Sequence, residues 1–138
     1  MSLPARFPVS PVQIDRVVAA FYARIRQHDV LGPVFFASIP DDRERWQKHE
    51  EKISRFWRNA ILHERNYSGN PQHMHRMRPM IKPEHFELWL GLFDEVLGQN
   101  LPTELAASWS ALAHRIGAGL RMGVEASRQP EGMPPILR

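Results

Sequence analysis

Apolar residues recur along this chain at intervals of three and four, and four separate stretches keep the pattern long enough to be helices. The first opens at Ser10-Pro11, a capping residue followed by a proline suited to the first helical position. It carries Val17, Val18, Phe21, Tyr22 and Ile25 as one stripe. Gly32-Pro33 cannot continue it, so the helix is expected to fail between Asp29 and Pro33, with Val34-Phe35-Phe36 as a short apolar turn. The second is predicted from about Asp42 to Glu64, with acids in its first turn. Its stripe runs Trp46, His49, Ile53 and Trp57, with Phe56, Ala60 and Ile61 beside it. The third starts at Pro83-Glu84, carries Phe86, Trp89, Leu90, Phe93 and Leu97, and stops at Gly98. The last starts at Pro102-Thr103-Glu104 and carries Leu105, Trp109, Leu112, Ile116 and Leu120. From Gly123 onward, with 126–138 as its flexible part, an untethered tail is expected. No stretch alternates strictly, so the chain reads as an all-α domain with no strands.

The interval from Tyr67 to Pro83 is too long for a tight turn, and it contains NPQHMHRMRP, Asn70 to Pro79. If this segment is helical, His73 and His75 point in different directions and cannot serve one ion. If it is extended, they share a face and could chelate zinc, copper or nickel. A chelate would want a third inward ligand, and the candidates His63 and His85 lie across helix breakers.

Three helices also place a hydrogen-bonding side chain inside an apolar stripe: Tyr22, His49 and Trp89. Each alone suits an ordinary core: a hydroxyl reaching the surface, a boundary imidazole, an indole bonded to a carbonyl. Together they are what a ligand pocket uses, mostly apolar walls with a few convergent polar groups. A flat cofactor whose iron needs one axial histidine occupies such a pocket better than a bare ion.

Composition narrows the choice. The 138 residues suit one domain. The absence of cysteine excludes disulfides, thiolate zinc sites, iron–sulfur clusters and cysteine nucleophiles. The N-terminal MSLPARFPVSPVQ lacks the apolar core of a signal peptide, and no stretch approaches a membrane span, so a cytoplasmic protein without a membrane partner is expected. A net charge of +3 supports a second reading, a small basic helical module binding nucleic acid or a protein through Arg24, Arg26, Arg43, Arg45, Arg55 and Arg58. Against it, 18 basic residues are interleaved with 15 acidic ones.

Five motifs occur in a fixed order: FY at Phe21-Tyr22, LGPVF at Leu31 to Phe35, W-x-x-H-x-x-K-I-x-x-F-W from Trp46 to Trp57, Y-x-G-x-P from Tyr67 to Pro71, and H-R-x-x-P-x-x-x-P-E-H-F-x-x-W-L-x-L-F from His75 to Phe93. This ordered set resembles the truncated haemoglobins, most closely the group III (P-type) bacterial class, over roughly residues 12–125. The glycine-pair motifs of group I and many group II members are absent. The resemblance implies a two-on-two helical sandwich around haem b, with His75 as proximal iron ligand. It places Tyr22, His49, Ile53 and Trp89 on the distal side, Phe21, Phe35, Phe56 and Trp57 as apolar walls, and Tyr67 near the haem edge. His73 and His85 would lie at the surface or behind the site, and the arginines at 76 and 78 near the haem propionates. The implied function is reversible binding of O2 and of NO, CO or cyanide. NO-detoxifying or peroxidase-like turnover would need an unidentified reductant, and no nucleic acid is implied as a partner.

Overall fold

Helix α1 (Pro11–Gln27) begins with a reciprocal cap, and the computed structural model describes the chain over residues 4–128 except Asn66, Met77, Pro79 and the side chains of Gln72 and Arg76. Ser10 Oγ accepts from the Gln13 amide (3.1 Å) while Gln13 Oε1 accepts from the Ser10 amide (2.8 Å), satisfying two otherwise orphaned donors. The helix buries Ile14, Val17, Val18, Phe21, Tyr22 and Ile25, the stripe read from the sequence.

α1 stops at Gln27, before Gly32-Pro33, and the cause is histidine. His28 Nδ1 accepts from the amides of Val30 (3.1 Å) and Leu31 (3.0 Å), which starts a second helix, α2 (Leu31–Phe36). The expected apolar turn at Val34-Phe35-Phe36 is therefore helical. Pro33 sits in the first turn of α2, where its missing N–H removes no bond. Gly32 suits a close approach: a Cβ there would sit 3.2 Å from the Ile25 carbonyl oxygen, tight enough that the backbone would have to give slightly.

α3 (Arg43–Leu62) is capped by Asp42, whose Oδ1 accepts from the Glu44 amide at 2.9 Å. It ends where His63 turns left-handed (φ 60°). The awkward interval then contains one short helix, α4 (Pro71–Arg76). Asn70 caps it, its Oδ1 accepting from the His73 amide at 3.0 Å, with Pro71 at the first helical position.

α5 (Pro83–Asn100) passes Gly98 by two residues. α6 (Thr103–Ser127) passes Gly123, where a tail was expected. Val124 is wholly buried there, so burial holds a turn that local sequence marks as weak. The remainder of the expected tail, 129–138, lies outside the described residues.

α1 packs on α3 and on α5, α5 packs on α6, and α4 rests against α6. The pairs α1–α3 and α5–α6 form two layers, and every element among the described residues is helical. An aromatic cluster joins the layers. Trp57 from α3 stacks on Phe93 from α5 (5.6 Å, 13°), and Trp109 from α6 stands edge-on to both, at 5.5 and 5.7 Å. Each such pair contributes about 0.5–1.5 kcal/mol beyond area burial.

Candidate functional site

Away from that cluster the backbones of α3 and α4 stay apart, and a cavity of about 240 Å³ lies between the layers. Its wall takes Tyr22 from α1, Phe35 from α2, and His49, Ile53, Phe56 and Trp57 from α3. Tyr67 comes from the following loop, His75 from α4, and Phe86 and Trp89 from α5. Side chains chosen for chemistry on separate helices thus converge on one space. Phe21 does not line it: buried at 2% exposure, it stands edge-on to Tyr22 (5.1 Å), Trp89 (5.7 Å) and Phe93 (5.0 Å), backing the wall from behind.

On α4 the two histidines separate. His73 is exposed, whereas His75 is half-buried and lines the cavity beside Phe86. Two residues apart on a helix is more than half a turn, so they cannot chelate one ion. Among the described residues no three His, Asp or Glu side chains gather as a metal site. His75 Nδ1 lies 2.5 Å from the Pro71 carbonyl oxygen. A carbonyl only accepts, so Nδ1 carries the proton and Nε2 keeps its lone pair, the state of a metal-ligating imidazole. Burial, and the charge of Arg78, hold the His75 pKa below its ordinary value against the opposing pull of that bond.

Tyr22 is 4% exposed, and its ring stands edge-on to His49 at 4.8 Å. Burial, reinforced by the negative charge of Glu50, pushes the phenol pKa up, so the hydroxyl stays a donor. His49 is moved the other way: burial, then the charges of Lys52 and Arg78, lower its pKa to about 4. It is neutral near pH 7. Among the described residues its Nε2 is buried without a hydrogen-bond partner, a condition that costs about 1–3 kcal/mol. Trp89 lies parallel to Phe93 (5.4 Å, 1°), which sets the plane of its indole.

Tyr67 packs edge-on to Phe56 at 5.4 Å, and its phenol pKa is raised by burial. Gly69 makes this possible, since a Cβ there would fall 2.5 Å from the Tyr67 hydroxyl. The Y-x-G spacing is thus a packing requirement.

Lys52, Arg78, Ser38 and His85 also line the cavity, while no carboxylate does among the described residues. Arg78 donates to Ser38 Oγ at 3.3 Å. His85, expected at the surface or behind the site, is a lining residue whose Nδ1 accepts from the Lys82 amide (3.0 Å), leaving the proton on Nε2. Lys52 sat inside the W-x-x-H-x-x-K-I motif and could have been found there. Ile116 and Leu120, which line the cavity from α6, look in sequence like any core stripe.

The arginines of the basic-module reading are largely engaged. Arg58 pairs with Asp15 (2.7 Å), Arg24 with Glu95 (3.1 Å) and Arg45 with Asp42 (3.7 Å). Arg26 pairs with Glu50 (3.3 Å) and lies 5.1 Å over the Trp46 ring. No helix among the described residues is long and apolar enough to cross a membrane.

No protein-family model matches the sequence. The group 3 truncated haemoglobin ctb of Campylobacter jejuni is 36% identical over 89 residues, 64% of this chain and 70% of the relative. A crystal structure of a group III truncated haemoglobin from Campylobacter jejuni superposes with a TM-score of 0.79 at 29% identity, covering 86% of this chain and 93% of the other.

Proposed function

The chain belongs to the group 3 truncated haemoglobins, and on that premise we propose that its cavity holds haem b through His75 and binds O2 reversibly. One observation carries the reading. An apolar cavity contains an imidazole whose Nδ1 is committed to the Pro71 carbonyl, leaving Nε2 free, together with the unpartnered Nε2 of His49. These residues fit the group: one axial nitrogen, flat aromatic walls, and polar atoms that a bound ligand would satisfy.

His75 would hold the haem, whose iron would supply the Lewis-acidic site for a diatomic ligand. The chain's own residues do the rest. Tyr22 presents a hydroxyl that remains protonated, His49 a neutral imidazole, and Trp89 an indole N–H whose plane Phe93 sets. Hydrogen bonds to a partner with charge are worth about 1.5–3 kcal/mol, and about 1.4 kcal/mol is tenfold in affinity. Slow O2 release follows. Lys52 and Arg78 supply two cations at the cavity for the two propionates, while the side chain of Arg76 lies outside the described residues. NO, CO and cyanide would compete for the same position. Turnover of NO or peroxide would draw on a separate electron donor.

The absorption spectrum tests the reading. A Soret band that His75→Ala abolishes and His73→Ala retains is expected. Protein that is colourless and takes up no added haemin would overturn it.

A further inference from the structure

α4 cannot hold itself in place. Its six residues make under two turns, far short of what sustains an isolated helix, and none of its described side chains is fully buried. Asn70 secures its N-terminal end. Its C-terminal end runs into the loop before α5, whose Arg78 side chain bonds Ser38 and whose backbone carbonyls are gripped from the far end of the described chain. Arg128, the residue after α6, donates from Nη1 to the Ile81 carbonyl and from Nη2 to the Arg78 carbonyl, each at 2.9 Å. The Ile81 amide closes a turn onto the same Arg78 carbonyl (3.1 Å), and the Arg78 amide reaches back to the His75 carbonyl (3.4 Å). Two contacts therefore separate the guanidinium from the residue that bears the imidazole. Arg128 is itself anchored, because fully buried Val124 sits in the last turn of α6 and α4 rests on that helix.

We propose that Arg128 is the positioning residue for His75, its guanidinium bridging the carbonyls of Arg78 and Ile81 and so setting how α4 presents the imidazole to the cavity. The inference rests on His75 being the iron ligand. Arg128 does not line the cavity, yet the side chains of both residues it grips do, so the same fork also places part of the wall. A rigid guanidinium suits two carbonyls of fixed separation. The bonds are exposed, so their effect falls on the geometry and lifetime of the site more than on global stability.

The test uses the full haem-loaded chain with Arg128→Ala, Arg128→Lys and, as control, Arg121→Gln, which removes the Arg121–Glu125 pair on the same helix end. Two readouts are taken: haem transfer to excess apomyoglobin, and the iron–histidine stretching band of the ferrous protein. Arg128→Ala should transfer haem about three- to tenfold faster, with a shifted or broadened band, for a loss of one to two modest hydrogen bonds. Lysine should restore part of both, and Arg121→Gln should change neither. A wild-type band and transfer rate in Arg128→Ala would overturn the proposal, as would an equal effect of Arg121→Gln. His75→Ala separates the two levels: if it keeps the iron–histidine band, the ligand assignment fails. If it loses the band while Arg128→Ala behaves as wild type, only the positioning role fails.

Discussion

His49 should make the apoprotein sensitive to mild acid, and the size of the effect can be worked out from its environment. In the unfolded chain its imidazole titrates near the ordinary 6.5, and in the folded protein burial with Lys52 and Arg78 lowers that to about 4. The folded state therefore binds fewer protons than the unfolded state between these values, and stability falls as pH drops through that window. A gap of about 2.5 units corresponds to roughly 3 kcal/mol at its limit, with about 1.4 kcal/mol lost by pH 5.5 and about 2.6 kcal/mol by pH 4.5. His75, lowered in the same direction, adds to the slope. Comparing urea unfolding of wild type and His49→Leu at pH 7 and pH 5 isolates the contribution of this one group. The substitution should flatten the pH dependence by about 2 kcal/mol while leaving the urea slope unchanged. An NMR titration of the His49 ring in the folded apoprotein supplies the same quantity directly. A measured pKa near 6.5, or identical pH profiles for the two proteins, would refute the argument that burial and the rim cations hold this imidazole neutral.

Tyr22→Phe keeps the ring packing against Phe21, Phe35 and His49 and removes only the hydroxyl. O2 release measured by stopped flow should accelerate by roughly ten- to a hundredfold, from about 1.5–3 kcal/mol of lost hydrogen bonding; an unchanged rate would remove Tyr22 from the distal role. Phe93→Ala empties the centre of the aromatic cluster, where the ring meets Phe21, Trp57, Trp89 and Trp109. Urea denaturation should show a loss of about 3–5 kcal/mol, and a loss under about 1 kcal/mol would mean the cluster is not what joins the two layers.

The long helices were legible because their signals are local. Ser10 with Gln13, Asp42 with Glu44 and the prolines at 11 and 83 act within one turn, and the apolar stripes repeat every three or four residues. The same stripes identified Tyr22, His49 and Trp89, because a polar group inside an apolar row needs no tertiary knowledge to be noticed. Helix ends were read less well wherever the deciding contact was not a recognised cap. His28 begins α2 through an imidazole, a residue type that carries no turn signal. Gly123 did not end α6, because Val124 is buried against the rest of the fold.

What the sequence alone determined about this protein is its all-helical class, the stripes of its four long helices and the polar residues set within them. Only the tertiary structure decided which stripe became core and which became cavity wall. Phe21 and Phe35 are both apolar residues on helices, yet Phe21 backs the wall and Phe35 lines it. Spacing alone left His73 and His75 open as a chelating pair and the resemblance singled out His75, but the physical cause is tertiary: the helical turn that divides them exists through Asn70, Pro71 and the packing of α4 on α6. The grip of Arg128 on Arg78 and Ile81 was invisible for the same reason. It joins residues about fifty positions apart, and no local pattern records a contact made by chain closure.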